Sequence, residues 1–331
     1  MEKIAIIGIG GRTGTLFAHK LKNSAEVLGV GREGEIEMIN SKNILIQKRG
    51  FDPEVMDQKI IKDQDFGNYP LPDYIFIATR NPVYPVVKYY YQIVKEKNGK
   101  LPILVLSQNG ISAVEEAGSA LREVFGGDAS NVQIIRLNLF NPVDGVKNNG
   151  KICMKYFEPV RLVFSSVFGP EDTLGLRKIF GAAGIEYEEY SRKDARNMEC
   201  SKLFLNLIGM AAASYGQSVE KGYQDKAIFR EEVIMLREYI SSVKLSGSRF
   251  LNFKHYPVGI LSCIINNVPL PLLVFARGML VKIVSSNRGS KPKDLGEIDY
   301  YNGGVIKLAQ TVGLKTPVNI KIYNQAKKLL N

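Results

Sequence analysis

The first half of the chain alternates short apolar runs with amphipathic stretches of helical spacing, one of them at about residues 84–96. The apolar runs are "KIAIIGIG", "AEVLGVGR", "DYIFIATR", "PILVLSQNG" and "NVQIIRLNL". Buried strands that alternate with helices predict an α/β fold with a doubly wound parallel sheet. Ligands of such a sheet bind at the carboxyl edge of its strands.

The pattern changes after Asn141 and again near Lys193. The segments "KICMKYF", "VRLVFSSVFG" and "IEYEEYS" predict further strands of the same sheet, with a helix at about 171–183. Beyond them the predicted helical segments are 196–222, 229–246, 256–284 in broken pieces, 297–313 and 317–330. We therefore expect an N-terminal Rossmann-like domain over residues 1–191 and an all-helical C-terminal domain over residues 192–331. A cleft between two such domains is a usual place for a small substrate.

Length and composition agree with this division. The chain has 331 residues, of which 45% are hydrophobic and 23% charged, as in soluble globular proteins. Its first residues lack the order of a signal peptide, and the most apolar region, 256–284, is interrupted by asparagine, proline and arginine. The three cysteines lie far apart. We expect a cytoplasmic protein that does not enter a membrane.

The net charge of +11 does not indicate nucleic-acid binding, because lysine and arginine are scattered along the chain without a basic block. A basic surface also attracts phosphorylated cofactors and small acids. His19 and His255 are the two histidines and lie far apart, so we expect no metal site and no histidine-based triad. The broken apolar stretch at 256–284 suits a homodimer contact as well as a domain core.

The segment "KIAIIGIGGRTGTLFAHKL" consists of a strand, a glycine turn and an amphipathic helix, in that order. Glycine permits a tight turn and lets a pyrophosphate approach the backbone, while the helix N-terminus offers free N–H groups to the phosphates. The turn is one residue longer than the usual dinucleotide loop, because Thr13 stands where G-x-G-x-x-G would place a glycine. The predicted cofactor-binding residues here are Gly8, Gly10, Gly11, Arg12, Thr13 and Gly14.

Two arginines follow predicted strands of the same sheet. Arg32 ends the second strand, where an NAD enzyme usually has an acidic residue for the ribose 2′-hydroxyl. Arg80 ends the strand "DYIFIATR". A guanidinium suits a 2′-phosphate, so the pair favours NADP(H) as cofactor, although Glu33 directly after Arg32 argues the other way. Asn109, after the strand at 102–108, should face the nicotinamide end of that cofactor.

The helical half carries polar residues in an apolar context. In "CSKLFLNLIGM", Lys202 and Asn206 lie one helical turn apart and share a face. Taken alone, Lys202 is equally well explained as an ordinary helical lysine without a functional role, whose aliphatic stem covers the core while its ammonium reaches water. Farther along, Ser285 and Ser286 close one predicted helix, and Glu297 opens the next.

These residues resemble those of the ketopantoate reductases (2-dehydropantoate 2-reductases), NADPH enzymes of pantothenate and coenzyme A synthesis. The resemblance runs nearly end to end. It covers the glycine turn, the two arginine positions, "SQNG", "SKLFLN" where the family has K-L-x-x-N, and "GEIDYYNGGVIKLAQTVGLKTPVN". The last segment follows the family's E-I-D-x-x-N-G and, downstream, T-P-x-N, and it is the most specific match.

The resemblance implies a role for each matched residue. Lys202 would be the general acid that protonates the alkoxide formed when hydride reaches the keto carbon, and Glu297 would hold the substrate hydroxyl. A lysine ammonium suits this step, because it stabilises negative charge on oxygen and then donates a proton. The implied substrate contacts are those of Asn206, Asn109, Ser285 and Ser286.

Three departures from the family concern the substrate more than the reaction. They are the glycine turn, Met210 in place of a second asparagine, and the segment "NRGSKPKD", whose Arg288, Lys291 and Lys293 could bind an anion. The sequence leaves two alternatives open. One is a reductase of the same fold that acts on another 2-keto acid or an imine, as opine-type enzymes do. The other is a non-catalytic regulator that senses NADP(H).

Overall fold

The structure is a computed structural model. It describes residues 1–288 and 292–330; the side chains of residue 280 and of residues 282–288 lie outside that description. The chain divides into two compact units. The first comprises residues 1–108 and 113–195, and the second comprises residues 109–112 and the chain from 196 onward. The units thus change at Ala195, whereas we predicted the domain boundary at residue 191.

The first unit contains twelve strands and five α-helices within the described chain. The strands are β1 Lys3–Ile7, β2 Glu26–Gly31, β3 Ile44–Lys48, β4 Glu54–Val55, β5 Lys59–Lys62, β6 Tyr74–Ile77, β7 Ile103–Leu106, β8 Ile134–Leu139, β9 Asp144–Asn148, β10 Lys151–Tyr156, β11 Arg161–Phe168 and β12 Glu186–Glu189. The helices are α1 Arg12–Leu21, α2 Glu33–Asn40, α3 Tyr84–Lys97, α4 Ala113–Phe125 and α5 Leu174–Ala182.

Eight strands form the main sheet in the order β12-β11-β8-β7-β6-β1-β2-β5. Strands β5 to β8 with β1 and β2 run parallel, and β11 pairs with β8 in the antiparallel sense. The chain starts at β1, builds β2 and β5 on one side and then crosses to β6 on the other. This reversal between β1 and β6 is the topological switch point at which doubly wound sheets bind ligands. The predicted α/β fold class is confirmed.

Helices and loops cover both faces of the main sheet, which explains the continuous apolar runs. Ile4 and Ile6 of β1 pack into one core cluster, together with Phe17 of α1. Ala5 and Ile7 pack into another cluster with residues of α3 and α4. Successive side chains of a strand point to opposite faces, so every position of such a strand has to be apolar.

One predicted strand lies elsewhere. The segment "KICMKYF" forms β10, which we expected in the main sheet, but β10 belongs to a separate four-stranded sheet of order β4-β3-β10-β9. It pairs with β3 in parallel and with β9 across a short turn. The inward residues Met154 and Tyr156 of β10 pack against the core cluster of α1. An apolar alternation specifies a strand with a buried face, whereas it does not specify which sheet accepts that strand.

The second unit is helical. Its helices, with the first beginning at the unit boundary, are α6 Ala195–Leu207, α7 Met210–Ser214, α8 Val219–Gln224, α9 Lys226–Leu245, α10 Val258–Asn267, α11 Leu270–Arg288, α12 Asn302–Thr311 and α13 Pro317–Leu330. The segment predicted as one helix over 196–222 is therefore three helices. The first break falls at Gly209, whose φ of +92° favours glycine.

A buried carboxylate stabilises this break. Glu232 of α9 is 1% exposed and accepts hydrogen bonds from the backbone N–H groups of Gly209 and Ala211, the latter at 2.9 Å. A buried charge needs such donors to offset its desolvation. The break therefore fixes where α6 ends, shortly after Asn206. None of the described helices is both long enough and apolar enough to cross a membrane.

Candidate functional site

The predicted cofactor loop lies at the switch point of the main sheet. Strand β1 ends at Ile7, residues 8–11 form the turn, and α1 begins at Arg12. Gly8 has a φ of +86°, and a Cβ there would lie 2.9 Å from the side chain of Thr79. A Cβ on Gly14 would lie 2.3 Å from the carbonyl oxygen of Gly8. Both glycines are therefore required by the close approach of the loop, the helix and the neighbouring strand.

The N-terminus of α1 follows directly from this turn. Its N-cap residue is Gly11, and its first turn carries Arg12, Thr13 and Gly14 but no acidic residue. The helix dipole thus presents positive potential beside an exposed arginine. This arrangement suits the phosphates of a dinucleotide. The six predicted residues from Gly8 to Gly14 are brought together.

The end of β2 carries two charge pairs. Arg32 is the N-cap of α2, and its side chain is 84% exposed and 3.4 Å from a carboxylate oxygen of Glu35. Glu33 instead faces Lys62 at the end of β5, with 2.5 Å between the carboxylate and the ammonium. The hydrogen bond and positive charge of Lys62 lower the pKa of Glu33. Of the two carboxylates next to Arg32, it is Glu35 that contacts the guanidinium.

Polar groups also stand at the ends of β6 and β7. Arg80 follows β6 and is exposed. The amide nitrogen of Gln108, just after β7, donates to the carbonyl oxygens of Ile77 and Thr79 at 2.8 and 3.0 Å and ties the two strand ends together. Among the described residues, the buried hydroxyl of Thr79 and the amide oxygen of Gln108 find no hydrogen-bond partner. Such groups normally have one, so this edge suits a polar ligand.

The second unit contains a chain of three predicted site residues. The amide nitrogen of Asn206 on α6 donates to Oδ1 of Asn109 at 3.1 Å. The Nδ2 of Asn109 in turn donates to Oε2 of Glu297 at 2.8 Å. The three side chains are half-buried. Folding has thus brought together an amide–amide–carboxylate chain from three distant segments of the sequence.

Two further residues contact these three hydrogen-bonded side chains and close a ring of contacts with them. Neither residue was predicted to belong to this group. The hydroxyl of Tyr301 donates to Oε2 of Glu297 at 3.0 Å. The ammonium of Lys293 lies 5.6 Å from the ring centre of Tyr301 and donates to the backbone carbonyl of Asn206. It also reaches the carbonyl of Ile208 at 3.3 Å, so it lies at the negative end of α6. Glu297 and Tyr301 are four residues apart in the sequence, and this spacing is the signal that could have predicted the hydrogen bond between them.

Lys202 lies on α6 one turn before Asn206, as the helical spacing predicts. It is 8% exposed. A simple surface lysine would keep its side chain in water, and lysine is almost never buried unless it is paired. The burial therefore argues against the interpretation of Lys202 as an ordinary surface residue.

The remaining predicted residues are placed differently. Glu297 does not open a helix: it lies in a turn over 296–301, and α12 begins only at Asn302. The backbone of Tyr301, with φ −93° and ψ −92°, separates this turn from the helix. Ser285 and Ser286 fall in the last turn of α11, and their side chains lie outside the described residues.

Two asparagines in the segments that resemble the family have a structural role in the second unit. Asn302 and Asn319 are fully buried, and the amide of Asn302 donates to Oδ1 of Asn319 at 3.0 Å. The amide of Asn319 donates to Glu238 of α9 at 2.7 Å. The same carboxylate accepts the backbone N–H groups of Val318 and Asn319 and so caps α13. These asparagines connect α12, α13 and α9.

No group of three or more histidine, cysteine, aspartate or glutamate side chains that could hold a metal ion is present in residues 1–288 and 292–330. The sheet order and the glycine turn at its switch point give the first unit a Rossmann-like fold.

Residues 4–135 match the family described as ketopantoate reductase PanE/ApbA. The resemblance predicted from the sequence is thereby confirmed over this part of the chain. Members of the family are NAD(P)-dependent oxidoreductases that act on 2-keto acids. Among curated proteins, none matches the sequence.

Several solved structures share the fold over the whole length. A PanE/ApbA family ketopantoate reductase from Ralstonia eutropha JMP134 is 15% identical, with a TM-score of 0.72 over 98% of this chain and 97% of that one. The 2-dehydropantoate 2-reductase from Geobacter metallireducens GS-15 is 17% identical, with a TM-score of 0.68 over 99% of both chains. D-mandelate dehydrogenase, solved with NADH and anilino(oxo)acetate, is 14% identical, with a TM-score of 0.71 over 98% of this chain and 97% of that one. At such identities the likeness shows the fold.

Proposed function

We propose that this chain catalyses the NADPH-dependent reduction of 2-dehydropantoate (ketopantoate) to pantoate, in cytoplasmic pantothenate and coenzyme A biosynthesis. The observation that carries the proposal is the chain of hydrogen bonds from Asn206 through Asn109 to Glu297. It joins the residues that the family resemblance assigns to the substrate, although they are distant in sequence. Lys202 lies one helical turn from Asn206 on the same helix.

The residues of the first unit fit a dinucleotide. The turn from Gly8 to Gly11 and the N-terminus of α1 would hold the pyrophosphate, and Arg32 and Arg80 would hold a 2′-phosphate. When bound, NADPH supplies the hydride. The unpartnered oxygens of Thr79 and Gln108 support a polar ligand at the same edge.

The second unit would orient the keto acid. Both bonds that Glu297 accepts from Asn109 and Tyr301 end on Oε2, so among the described residues Oε1 remains available to accept the substrate hydroxyl. Asn206 would contact the substrate through its amide. Ser285 or Ser286 would bind the carboxylate, as the resemblance implies.

Lys202 would act as the general acid. Reduction of the keto carbon places a full negative charge on the former carbonyl oxygen, and an ammonium stabilises that charge more in the transition state than in the substrate. The lysine then gives a proton to the alkoxide and becomes a neutral amine, which regains its proton from solvent. Its burial strengthens this electrostatic effect, because the surrounding dielectric is lower than that of water.

A second candidate substrate is a 2-keto acid without the hydroxyl of ketopantoate. Met210 favours it, because this residue is fully buried and begins α7 beyond the break at Gly209. The amide that many ketopantoate reductases carry at this position is therefore replaced by a thioether in the core. A site with that replacement would bind a larger or more apolar substrate better than a polar one.

The proposal is tested with purified protein, NADPH and ketopantoate, by following the loss of the reduced nicotinamide absorbance. A parallel panel of branched and aromatic 2-keto acids, each with and without an amine, separates ketopantoate reduction from the second candidate and from an imine reductase. Turnover with ketopantoate at the highest kcat/KM supports the proposal. NADPH binding without turnover of any 2-keto acid would contradict it and favour a sensor of NADP(H).

A further inference from the structure

The carboxylate of Glu35 lies where two glycines and an arginine meet. Glu35 is the third residue of α2, and its Oε2 accepts the backbone N–H of Arg32 at 3.3 Å. Its other oxygen, Oε1, is 3.4 Å from the Arg32 guanidinium. The glutamate side chain is 27% exposed, whereas that of Arg32 is 84% exposed. The carboxylate is thus held in place, while the arginine extends from it into solvent.

The same side chain covers the glycine turn. A Cβ on Gly10 would lie 2.9 Å from both Cβ and Cγ of Glu35, and a Cβ on Gly31 would lie 2.8 Å from its Oε2. The absence of side chains at these two glycines therefore makes room for Glu35. Its carboxylate lies between the turn after β1 and the end of β2, which is where this fold places the adenosine ribose of a dinucleotide.

We propose that Glu35 sets the preference between NADPH and NADH. The inference rests on the cofactor class of the proposed function. A 2′-phosphate carries about −1.5 to −2 charges at neutral pH. It would have to share the Arg32 guanidinium with a carboxylate of the same sign. A ribose 2′-hydroxyl, in contrast, is a donor that this carboxylate can accept. Glu35 therefore narrows the preference for NADPH that Arg32 alone would produce.

Glu33 supplies a matched control. It directly follows Arg32 and carries the same charge, but its carboxylate is paired with Lys62 at 2.5 Å. Its side chain is 68% exposed, and solvent screens its effect on more distant groups. Replacement of either glutamate by glutamine changes the net charge equally. A difference between the two variants consequently reports the position of the carboxylate and not the overall charge.

The experiment measures binding by the full-length protein, without substrate, by titration calorimetry. The ligands are NADPH, NADH, and the fragments 2′-phospho-AMP and AMP. In Glu35→Gln, the ratio of the NADH to the NADPH dissociation constant should rise about two- to fivefold, the size expected for one partly exposed charge contact. The fragments should show the same trend, and the change should shrink as salt is added. In Glu33→Gln the ratio should change less than about twofold by the same reasoning.

A ratio that moves no more in Glu35→Gln than in Glu33→Gln would overturn the proposal, as would a wild-type protein that binds none of the four ligands. If Glu35→Gln does not fold, as judged by circular dichroism, Glu35→Ala is measured in its place. The proposal then requires the same rise in the ratio of the NADH to the NADPH dissociation constant, and an unchanged ratio would refute it.

The outcome is separable from that of the proposed function. A shifted ratio in a protein that reduces no 2-keto acid would retain the role of Glu35 and reject the reaction. Reduction of ketopantoate with an unshifted ratio would retain the proposed reaction and reject the role of Glu35.

Discussion

The amide nitrogen of Asn109 lies 2.8 Å from the Oε2 carboxylate oxygen of Glu297, although 188 residues separate the two in sequence. Asn109 follows the β7 strand, yet residues 109–112 group with the helical unit. A short segment after the sheet thus brings one side chain to the residues that the proposed function assigns to the substrate. Its contacts can be tested one at a time.

Glu297→Gln should raise KM for the keto acid about tenfold or more, because hydrogen bonds to a charged group are worth roughly 1.5–3 kcal/mol each. Tyr301→Phe removes one of the two described donors to Oε2 and should have a smaller effect. The dissociation constant of NADPH should stay the same in both variants. Steady-state kinetics and cofactor titration measure these quantities. Tyr323→Phe, which removes a hydroxyl bonded to the exposed Asp299, is the control, and an equal effect there would contradict the assignment.

Lys202→Ala should lower kcat by on the order of a hundredfold or more while NADPH still binds, since general-acid catalysis typically contributes that much. Single-turnover measurements with saturating NADPH give the rate of the chemical step directly. Lys244→Ala, an exposed lysine of α9, is the matched control and should retain the wild-type rate. A Lys202→Ala protein that turns over at the wild-type rate would remove Lys202 from the mechanism.

Lys293 should act by positioning Asn206. Its ammonium donates to the carbonyls of Asn206 and Ile208, where the last turn of α6 leaves carbonyl groups without helical partners. Lys293→Met should therefore raise KM several-fold, and Lys293→Arg, which keeps the charge, should restore most of the loss. A purely structural role predicts a lower Tm in Lys293→Met with no change in KM. Thermal unfolding and substrate titration of the same samples distinguish the two outcomes.

His19 should make the stability of the first unit depend on pH. Burial, with a further contribution from Lys22, lowers the pKa of His19 below its ordinary value of 6.5. The unfolded chain therefore takes up a proton at a pH where the folded imidazole does not. The free energy of unfolding should fall as pH drops below about 6.5 and stop falling below the folded pKa.

His19→Gln should lose less stability than the wild type between about pH 7.5 and about pH 5.5, because its side chain does not titrate. Urea unfolding at both pH values in each protein measures the difference, in which the contributions of the carboxylates cancel. Equal pH dependence in His19→Gln and in the wild type would show that the imidazole is not buried as described.

The elements that could be predicted from the sequence are those whose pattern is local. Strand β1, the glycine turn and α1 follow one another within 21 residues, and each has its own chemical signature. The pair Lys202 and Asn206 likewise follows from helical spacing alone. The break at Gly209 could not be predicted in the same way, because it depends on Glu232 of another helix.

Long-range partners account for the other differences. The alternation in "KICMKYF" predicts a strand, but its pairing with β3 is decided by distant residues. Glu297 was expected to open a helix because the helical pattern was assigned to 297–313, whereas residues 296–301 form a turn and α12 begins only at Asn302. Glu35 was missed because the sequence shows a carboxylate three residues after Arg32 but does not show that Gly10 and Gly31 lie against it and make room for it.

In the proposed reaction this chain reduces ketopantoate with NADPH, and Lys202 supplies the proton. The most direct test is a single-turnover reaction of preformed protein–NADPH complex with ketopantoate, in the wild type and in Lys202→Ala. We expect rapid oxidation of one equivalent of NADPH with formation of pantoate in the wild type, and a reaction slowed by about a hundredfold or more in the variant. Stable NADPH in the wild-type complex, or equal rates in the two proteins, would contradict the proposed reaction.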